Sequence, residues 1–283
     1  DDQAQLSQLR DYQLRLGLPV EPLRTAEARR AEPALSPFIR GAYLAEGDDQ
    51  VDPRALLRAL FVAATRAGVS FIRERVVAVT IQGERARGVW TECQRHIAAA
   101  VTVIAAGWSS PQIEGVPEEV RPPIRPVKGQ LLHLRGEAAP PLLQRNLRAL
   151  VRGSSVYLVP RGDGRIVVGA TVEERGTDTR VTADAVYTLL RDAHAVLPGI
   201  DDLELAETVA SLRPGSPDNA PLIGWSGCEA LAYATGHHRN GVLLAPVTAD
   251  AVVEMVSTGT TPELLTAFSP SRFRLHEPVG AAR

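Results

Sequence analysis

Two neighbouring stretches decide the reading of this chain: Ser211-Leu-Arg-Pro-Gly-Ser-Pro-Asp-Asn-Ala-Pro-Leu-Ile-Gly224 and, after a short hairpin, Tyr233-Ala-Thr-Gly-His-His-Arg-Asn-Gly-Val-Leu-Leu-Ala-Pro-Val247. They set two arginines, Arg213 and Arg239, and a turn bracketed by Gly236 and Gly241 at the mouth of a helix expected over residues 247–256. A guanidinium fork matches a carboxylate bidentately, and the free N–H groups of a helix start favour negative charge. The combination predicts a site that holds an anion. Nowhere in the sequence does an apolar strand run into a Gly-x-Gly-x-x-Gly turn and a helix, the arrangement that seats a pyrophosphate.

Working outward, 283 residues with 45% apolar content suffice for one large or two ordinary domains with a core. A net charge of -2, with basic residues scattered along the chain, speaks against nucleic acid or an anionic membrane as partner. Small acids or neutral metabolites fit better. Cys93 and Cys228 stand far apart in unrelated contexts, which argues against a disulfide framework or a zinc site and favours a reducing cytoplasm. No apolar run of about 18 residues and no charged-then-apolar leader is visible, so neither a membrane span nor a signal peptide is expected. The start at Asp1-Asp2, without methionine, reads as a fragment.

The element pattern alternates. Leu6, Leu9, Leu14 and Leu16 give residues 3–16 helical spacing, and Thr25 is placed to cap a second short helix limited by Pro33. Asp52-Pro53 is a cap followed by a first-turn proline, and Gly68 closes the helix it starts. Strands are expected over residues 69–73, 76–82, 88–91 and 96–106, the last buried on both faces of an α/β sheet and ending at Ala105-Ala106-Gly107-Trp108. Between Pro122 and Asp202 the character changes to an antiparallel sheet, with strands over residues 128–135, 147–152, 156–160 and 165–171. One helix follows over residues 181–197, capped by Thr182.

Three tempting motifs carry little. Gly162-Asp-Gly164 sits between two strand-like runs with no helix after it, which makes it a hairpin turn and not a phosphate loop. His237-His238 lacks the further carboxylate or cysteine partners that a metal site needs. No Gly-x-Ser-x-Gly elbow is present, so hydrolase chemistry has no nucleophile.

Six blocks, in order, carry a family resemblance: Arg125-Pro-Val-Lys-Gly-Gln130, Val156-Tyr-Leu-Val-Pro-Arg161, Gly169-Ala-Thr171, Ser211-Leu-Arg-Pro-Gly215, residues 218–224 and residues 236–246. Together they resemble the glycine oxidases of thiamine biosynthesis, within the flavin-dependent D-amino-acid and sarcosine oxidases. The resemblance implies a fold of class α/β plus α+β, an FAD-dependent amine-oxidase-like two-domain fold incomplete at its N-terminal Rossmann βαβ unit. It divides the chain into residues 1–46, part of a substrate domain; 47–120, part of an FAD-binding domain; 121–205, the antiparallel sheet of the substrate domain; and 206–283, the remaining FAD-binding part with the active-site arginines. Its missing N-terminal segment is expected in the full protein.

The same resemblance assigns roles. Arg213 is expected to hold the substrate carboxylate, Tyr157 to donate its hydroxyl to it, Arg239 to lie beside substrate and flavin, and Val172 to line the pocket. Val76 matches the strand position that meets the adenine, and Ala105, Ala106 and Gly107 the turn against the nucleotide. Gly236, His237, His238, Arg239, Asn240, Gly241, Val242 and Leu243 are expected around the flavin ring, His238 standing where an apolar aromatic residue is expected. The cofactor implied is noncovalent FAD.

Dehydrogenating an α-amino acid needs an electron acceptor, a clamp that aims the Cα–H bond at it, and little acid–base help if the amine is bound neutral. The expected reaction is oxidative deamination of glycine or a similar small amine by oxygen to an imine or 2-oxo acid with hydrogen peroxide, feeding thiazole synthesis for thiamine. A D-amino-acid or sarcosine oxidase or dehydrogenase is the alternative within enzymes. A non-catalytic fragment, or a subunit that needs an N-terminal partner to bind flavin, is the alternative outside that class. Homo-oligomerisation is left open.

Overall fold

The computed structural model describes residues 2–273. Its first elements are α1 (Asp2–Arg15), β1 (Glu21–Leu23), α2 (Thr25–Ala31), β2 (Ala42–Leu44) and α3 (Pro53–Arg66). Short strands follow: β3 (Val76–Gln82), β4 (Arg85–Thr91), β5 (His96–Ala98) and β6 (Thr102–Ile104). Then come β7 (Arg125–Arg135), β8 (Leu147–Val151), β9 (Ser154–Pro160), β10 (Arg165–Gly169) and α4 (Ala183–Val196). β11 (Glu204–Gly215), β12 (Leu222–Trp225), β13 (Leu231–Thr235) and α5 (Gly241–Thr258) complete the main elements. The chain divides into two units and crosses between them more than once. One holds Asp1–Ala63, Lys128–Glu173 and Asp178–Ser211; the other holds Ala64–Val127, Glu174–Thr177 and Leu212–Arg283.

The first unit is organised by a five-stranded sheet in the order β11-β7-β10-β9-β8. β9 and β10 are antiparallel, and the Gly162-Asp-Gly164 turn between them closes with the Gly164 N–H donating to Arg161 O at 3.1 Å, as expected of a hairpin. One face of the sheet is apolar: Leu132, Leu134, Val156, Leu158, Ile166 and Val168 pack with Leu189, Ala193 and Leu197 of the α4 region. The helix starts where the sequence places it, because Thr182 Oγ1 accepts the Ala185 N–H at 3.3 Å. At α3, Asp52 Oδ1 accepts the N–H groups of Arg54 at 2.9 Å and Ala55 at 3.1 Å, the cap read from Asp52-Pro53.

The second unit holds two three-stranded sheets, β3-β4-β5 and β12-β13-β6. β12 pairs antiparallel with β13, and β13 parallel with β6. Val79, Ala86, Ile104, Ile113, Val116, Leu231 and Tyr233 form the core between these sheets. Tyr233 is fully buried with its hydroxyl donating to Val120 O at 2.9 Å, which satisfies the one polar atom its burial would orphan. Ile223, Ala232, Ala251, Met255 and Leu265 seat α5.

Four expectations need correction. Residues 69–73 form no strand: Val69, Phe71 and Ile72 are about half exposed, and β propensity without a partner strand makes no ladder. The run 96–106 is two strands, because β5 pairs with β4 whereas β6 pairs with β13, and residues 99–101 carry the chain from one sheet to the other. It is not buried on both faces, since His96 and Ala98 are exposed and Ile104 alone is buried. Thr25 does not cap α2; Arg24 does, its N–H donating to Glu27 Oε2 at 2.7 Å, while the Thr25 hydroxyl donates to Ile39 O. Finally, α5 is long and apolar enough to match a membrane-crossing helix by length and composition, with mean hydropathy 1.4. It carries Asp250 and Glu254, carboxylates that a bilayer centre disfavours, and it buries Ala251 and Met255 against protein.

Candidate functional site

In the second unit, the carboxyl ends of the parallel strands β6 and β13 lie side by side, with Tyr233 opposite Ile104. Crevices beyond such strand ends are where open α/β sheets take ligands. β6 runs into Ala105 and Ala106, both exposed, and then Gly107, whose φ of 57° is reached without cost only by glycine. β13 runs into Gly236. The two turns are joined by hydroxyls: Thr235 Oγ1 donates to Gly107 O at 3.0 Å, and Ser110 Oγ lies 2.8 Å from the same carbonyl oxygen and 3.2 Å from Thr235 Oγ1. Sequence reasoning missed Ser110 and Thr235; a Gly-bounded turn gives no hint of partners more than a hundred residues away.

Gly236 has φ 77°, and a Cβ there would sit 3.0 Å from Leu222 Cδ1, 3.1 Å from Ile124 Cδ1 and 3.2 Å from Leu222 N. Both the backbone conformation and the close approach therefore require glycine. His237 ties the turn to the helix through Nε2, 3.0 Å from Thr248 Oγ1, and burial pushes its pKa down. α5 begins at Gly241 itself, six residues earlier than the expected 247–256, with Asn240 at the cap and no side chain capping the first turn. Val242 and Leu243 are exposed on that first turn, Leu243 at 78%.

The arginines belong to the same unit. Arg213 is half-buried at the end of β11. Its neighbour Pro214 accepts the His238 N–H at 2.9 Å, and Gly215 bridges His237, so the strand end and the 236–241 turn are locked together. Gly215 lies against the Arg125 guanidinium, where a Cβ would come within 3.1 Å of Nη1. Arg125 donates Nη1 to Ser216 O, Nη2 to Asn219 Oδ1 at 3.2 Å and Nε to Glu174 Oε1 at 3.2 Å. Arg239 is exposed on the turn. The His238 imidazole is held below its ordinary pKa, first by burial and then by Arg213, Arg239 and Arg125, with Glu174 opposing. The positive charge that Arg213, Arg239 and Arg125 put on this ring gives the locus its preference for an anion. The structure thus gathers Arg213, Arg239 and residues 236–243 in one unit, with Arg125 and Glu174 added to what the sequence assigned.

Val76 opens β3 opposite Thr91 and packs on the core that includes Ile104. Tyr157 and Val172 belong to the first unit. Tyr157 stands on β9 opposite Arg148 of β8 and Gly169 of β10. A Cβ at Gly169 would collide with the ring carbon Cζ and the hydroxyl of Tyr157, so glycine leaves the space in which the phenol lies. Val172 is 59% exposed. Its flanks are fixed by a buried network: Thr171 Oγ1 accepts the Gln130 N–H at 2.9 Å, Gln130 Nε2 donates to Glu173 Oε1 at 2.7 Å, and Gln130 Oε1 accepts the Thr182 N–H at 2.9 Å. Beside it the fully buried Lys128 donates Nζ to Arg180 O at 2.6 Å.

Comparisons with known proteins bear on this geometry. The family profile described as DAO, FAD dependent oxidoreductase, matches residues 1–255. The bifunctional protein ThiO/ThiG of Synechocystis sp. is 35% identical over 251 residues, 87% of this chain and 36% of that protein. The hydrogen cyanide synthase subunit HcnC of Pseudomonas aeruginosa is 33% identical over 258 residues, 90% of this chain and 60% of that protein. The crystal structure of glycine oxidase from Geobacillus kaustophilus superposes with a TM-score of 0.83 at 30% identity, covering 94% of this chain and 70% of that one. The chain therefore spans between about a third and about two thirds of the lengths of these curated relatives. Its mixed α and β architecture is that of the solved glycine oxidase.

Proposed function

This chain belongs to the DAO family of FAD dependent oxidoreductases, and from that membership we propose that it carries the amine-oxidising site of a glycine-oxidase-like flavoenzyme. The substrate is glycine or a similarly small amine. The carbon–nitrogen bond loses two electrons and two protons to become an imine, oxygen takes them up to become hydrogen peroxide, and water converts the imine to a 2-oxo acid with release of ammonia. Supply of the product to thiazole synthesis for thiamine is part of the same proposal, supported by the name of the ThiO/ThiG relative. A reducing cytoplasm suits its free cysteines.

The observation that carries this reading is the anchoring of Arg213 beside the 236–241 turn, through the His238 N–H to Pro214 O bond and the Gly215–His237 bridge. The residues present fit noncovalent FAD: exposed Ala105 and Ala106 leave backbone open to close approach, and no side chain caps the first turn of α5. FAD, when bound, supplies the two-electron acceptor that no side chain can provide. The proposed cofactor-facing residues are Val76, Ala105, Ala106, Gly107 and residues 236–243. Arg213 holds the substrate carboxylate through a bidentate pair and so fixes the direction of the Cα–H bond. Arg239 adds positive charge beside it.

A second reading, favoured by the subunit named in the HcnC relative, is that flavin binding and turnover need a partner polypeptide. Purified protein that is yellow, releases FAD on denaturation and produces peroxide with glycine, sarcosine or D-alanine supports the oxidase, and the relative rates rank the substrates. Colourless protein that takes up no added FAD supports the second reading. Arg213→Ala is expected to cost about 3 kcal/mol of transition-state binding, roughly 100-fold in kcat/KM; wild-type turnover in that variant would remove the clamp.

A further inference from the structure

His238 occupies an unusual place. Its φ is 49°, in the left-handed region that few side chains besides Asn, Asp and His adopt, and its N–H is committed to Pro214 O at 2.9 Å. That bond sets the root of the side chain beside the end of β11, where Gly215 lies against the Arg125 guanidinium. Around it stand Arg213 from the end of β11, Arg239 from its own turn, Arg125 from the start of β7 and Glu174 from the segment after β10. His237, next in the chain, is turned to Thr248 on α5. Arg125 is already engaged by Glu174, Ser216 and Asn219. The imidazole is therefore the one group in this cluster able to gain or lose charge near neutral pH.

We propose that binding of a carboxylate at Arg213 and Arg239 is coupled to uptake of one proton by His238. This rests on the carboxylate-holding role given to Arg213 above and adds a second residue to it. The logic is electrostatic. With the locus empty, three guanidinium groups disfavour a fourth positive charge, and burial adds to that. A bound carboxylate cancels one of those charges and faces the ring, so the imidazolium becomes acceptable and donates to the anion a charge-assisted hydrogen bond that the neutral ring supports less well. The proton comes from solvent and returns to it on release; no other bond changes. Acid affinity then falls as pH rises, and by reciprocity the bound acid raises the imidazole's titration midpoint by the equivalent amount.

The test uses acetate as the probe and the full chain. NMR of the histidine ring protons, with His238 assigned by its loss in His238→Asn, follows the titration midpoint with and without saturating acetate. Asparagine is chosen because it tolerates the left-handed backbone. An upward move of about one pH unit on acetate binding is expected, together with acetate binding roughly tenfold tighter below the midpoint than above it in wild type, and a flat pH dependence in His238→Asn. The same midpoint with and without acetate, or an unchanged pH dependence in His238→Asn, overturns the coupling while leaving the Arg213 clamp intact. Acetate that binds nowhere, or binds Arg213→Ala as well as wild type, overturns the coupling together with the clamp.

Discussion

At the scale of single residues, Arg213 and the glycines around residue 236 stand out in the sequence, whereas the partners that hold such residues in place do not. Arg213 and the glycines of the 236–241 turn announce themselves by type and spacing, because a fork-shaped cation and a residue free of Cβ have few other uses side by side. Arg125 stood within a recognised block but had no role, since Ser216 and Asn219, which it holds, lie about ninety positions away. Gly169 is the sharpest case: only the pairing of β9 with β10 reveals that its missing side chain makes room for the Tyr157 ring. Gly169→Ala is expected to destabilise the protein by about 1–3 kcal/mol, the usual cost of overpacking. In a Tyr157→Ala background the penalty should shrink, and a denaturant double-mutant cycle that returns additive effects would contradict the contact.

At the scale of elements, local signals located helices better than strands. The starts of α3 and α4 were set by Asp52 and Thr182, whose side chains cap them as residue type predicts. Strands failed where the partner decides: the apolar run 96–106 serves two sheets, and the β-rich run 69–73 serves none among the described residues. Thr182 does more than cap, because its hydroxyl also accepts from Gln130 Nε2 at 3.2 Å. Thr182→Ala should therefore cost about 1–2 kcal/mol in urea unfolding, at or above the usual cap value, and Thr182→Ser should restore most of it. A loss of only a few tenths of a kcal/mol would show that the network tolerates an open cap.

At the scale of the whole molecule, stability should decline as the solution is acidified through the histidine range. Burial depresses His133, His237 and His238. Below about pH 6.5 the unfolded chain therefore takes up protons that the native chain refuses, and native stability is lost until pH reaches the depressed native values. Buried Glu32 is shifted up and works in the opposite sense, against three histidines. Asp218, held at about 2 chiefly by Arg272, adds its loss only at more acid pH. A urea midpoint lower at pH 5.5 than at pH 7.5 is expected at fixed ionic strength; a higher one would contradict the burial of these rings. Two of the points where the chain crosses between its units, at residues 127 and 211, fall inside β7 and β11, where no linker breaks the strand. One last trait concerns the molecule as a reagent. These 283 residues contain a single lysine, and it is sealed beneath a main-chain oxygen. Acylating and alkylating agents aimed at primary amines thus meet no side-chain target while the protein is native, and gain one when it opens, so position 128 is a natural sentinel of unfolding.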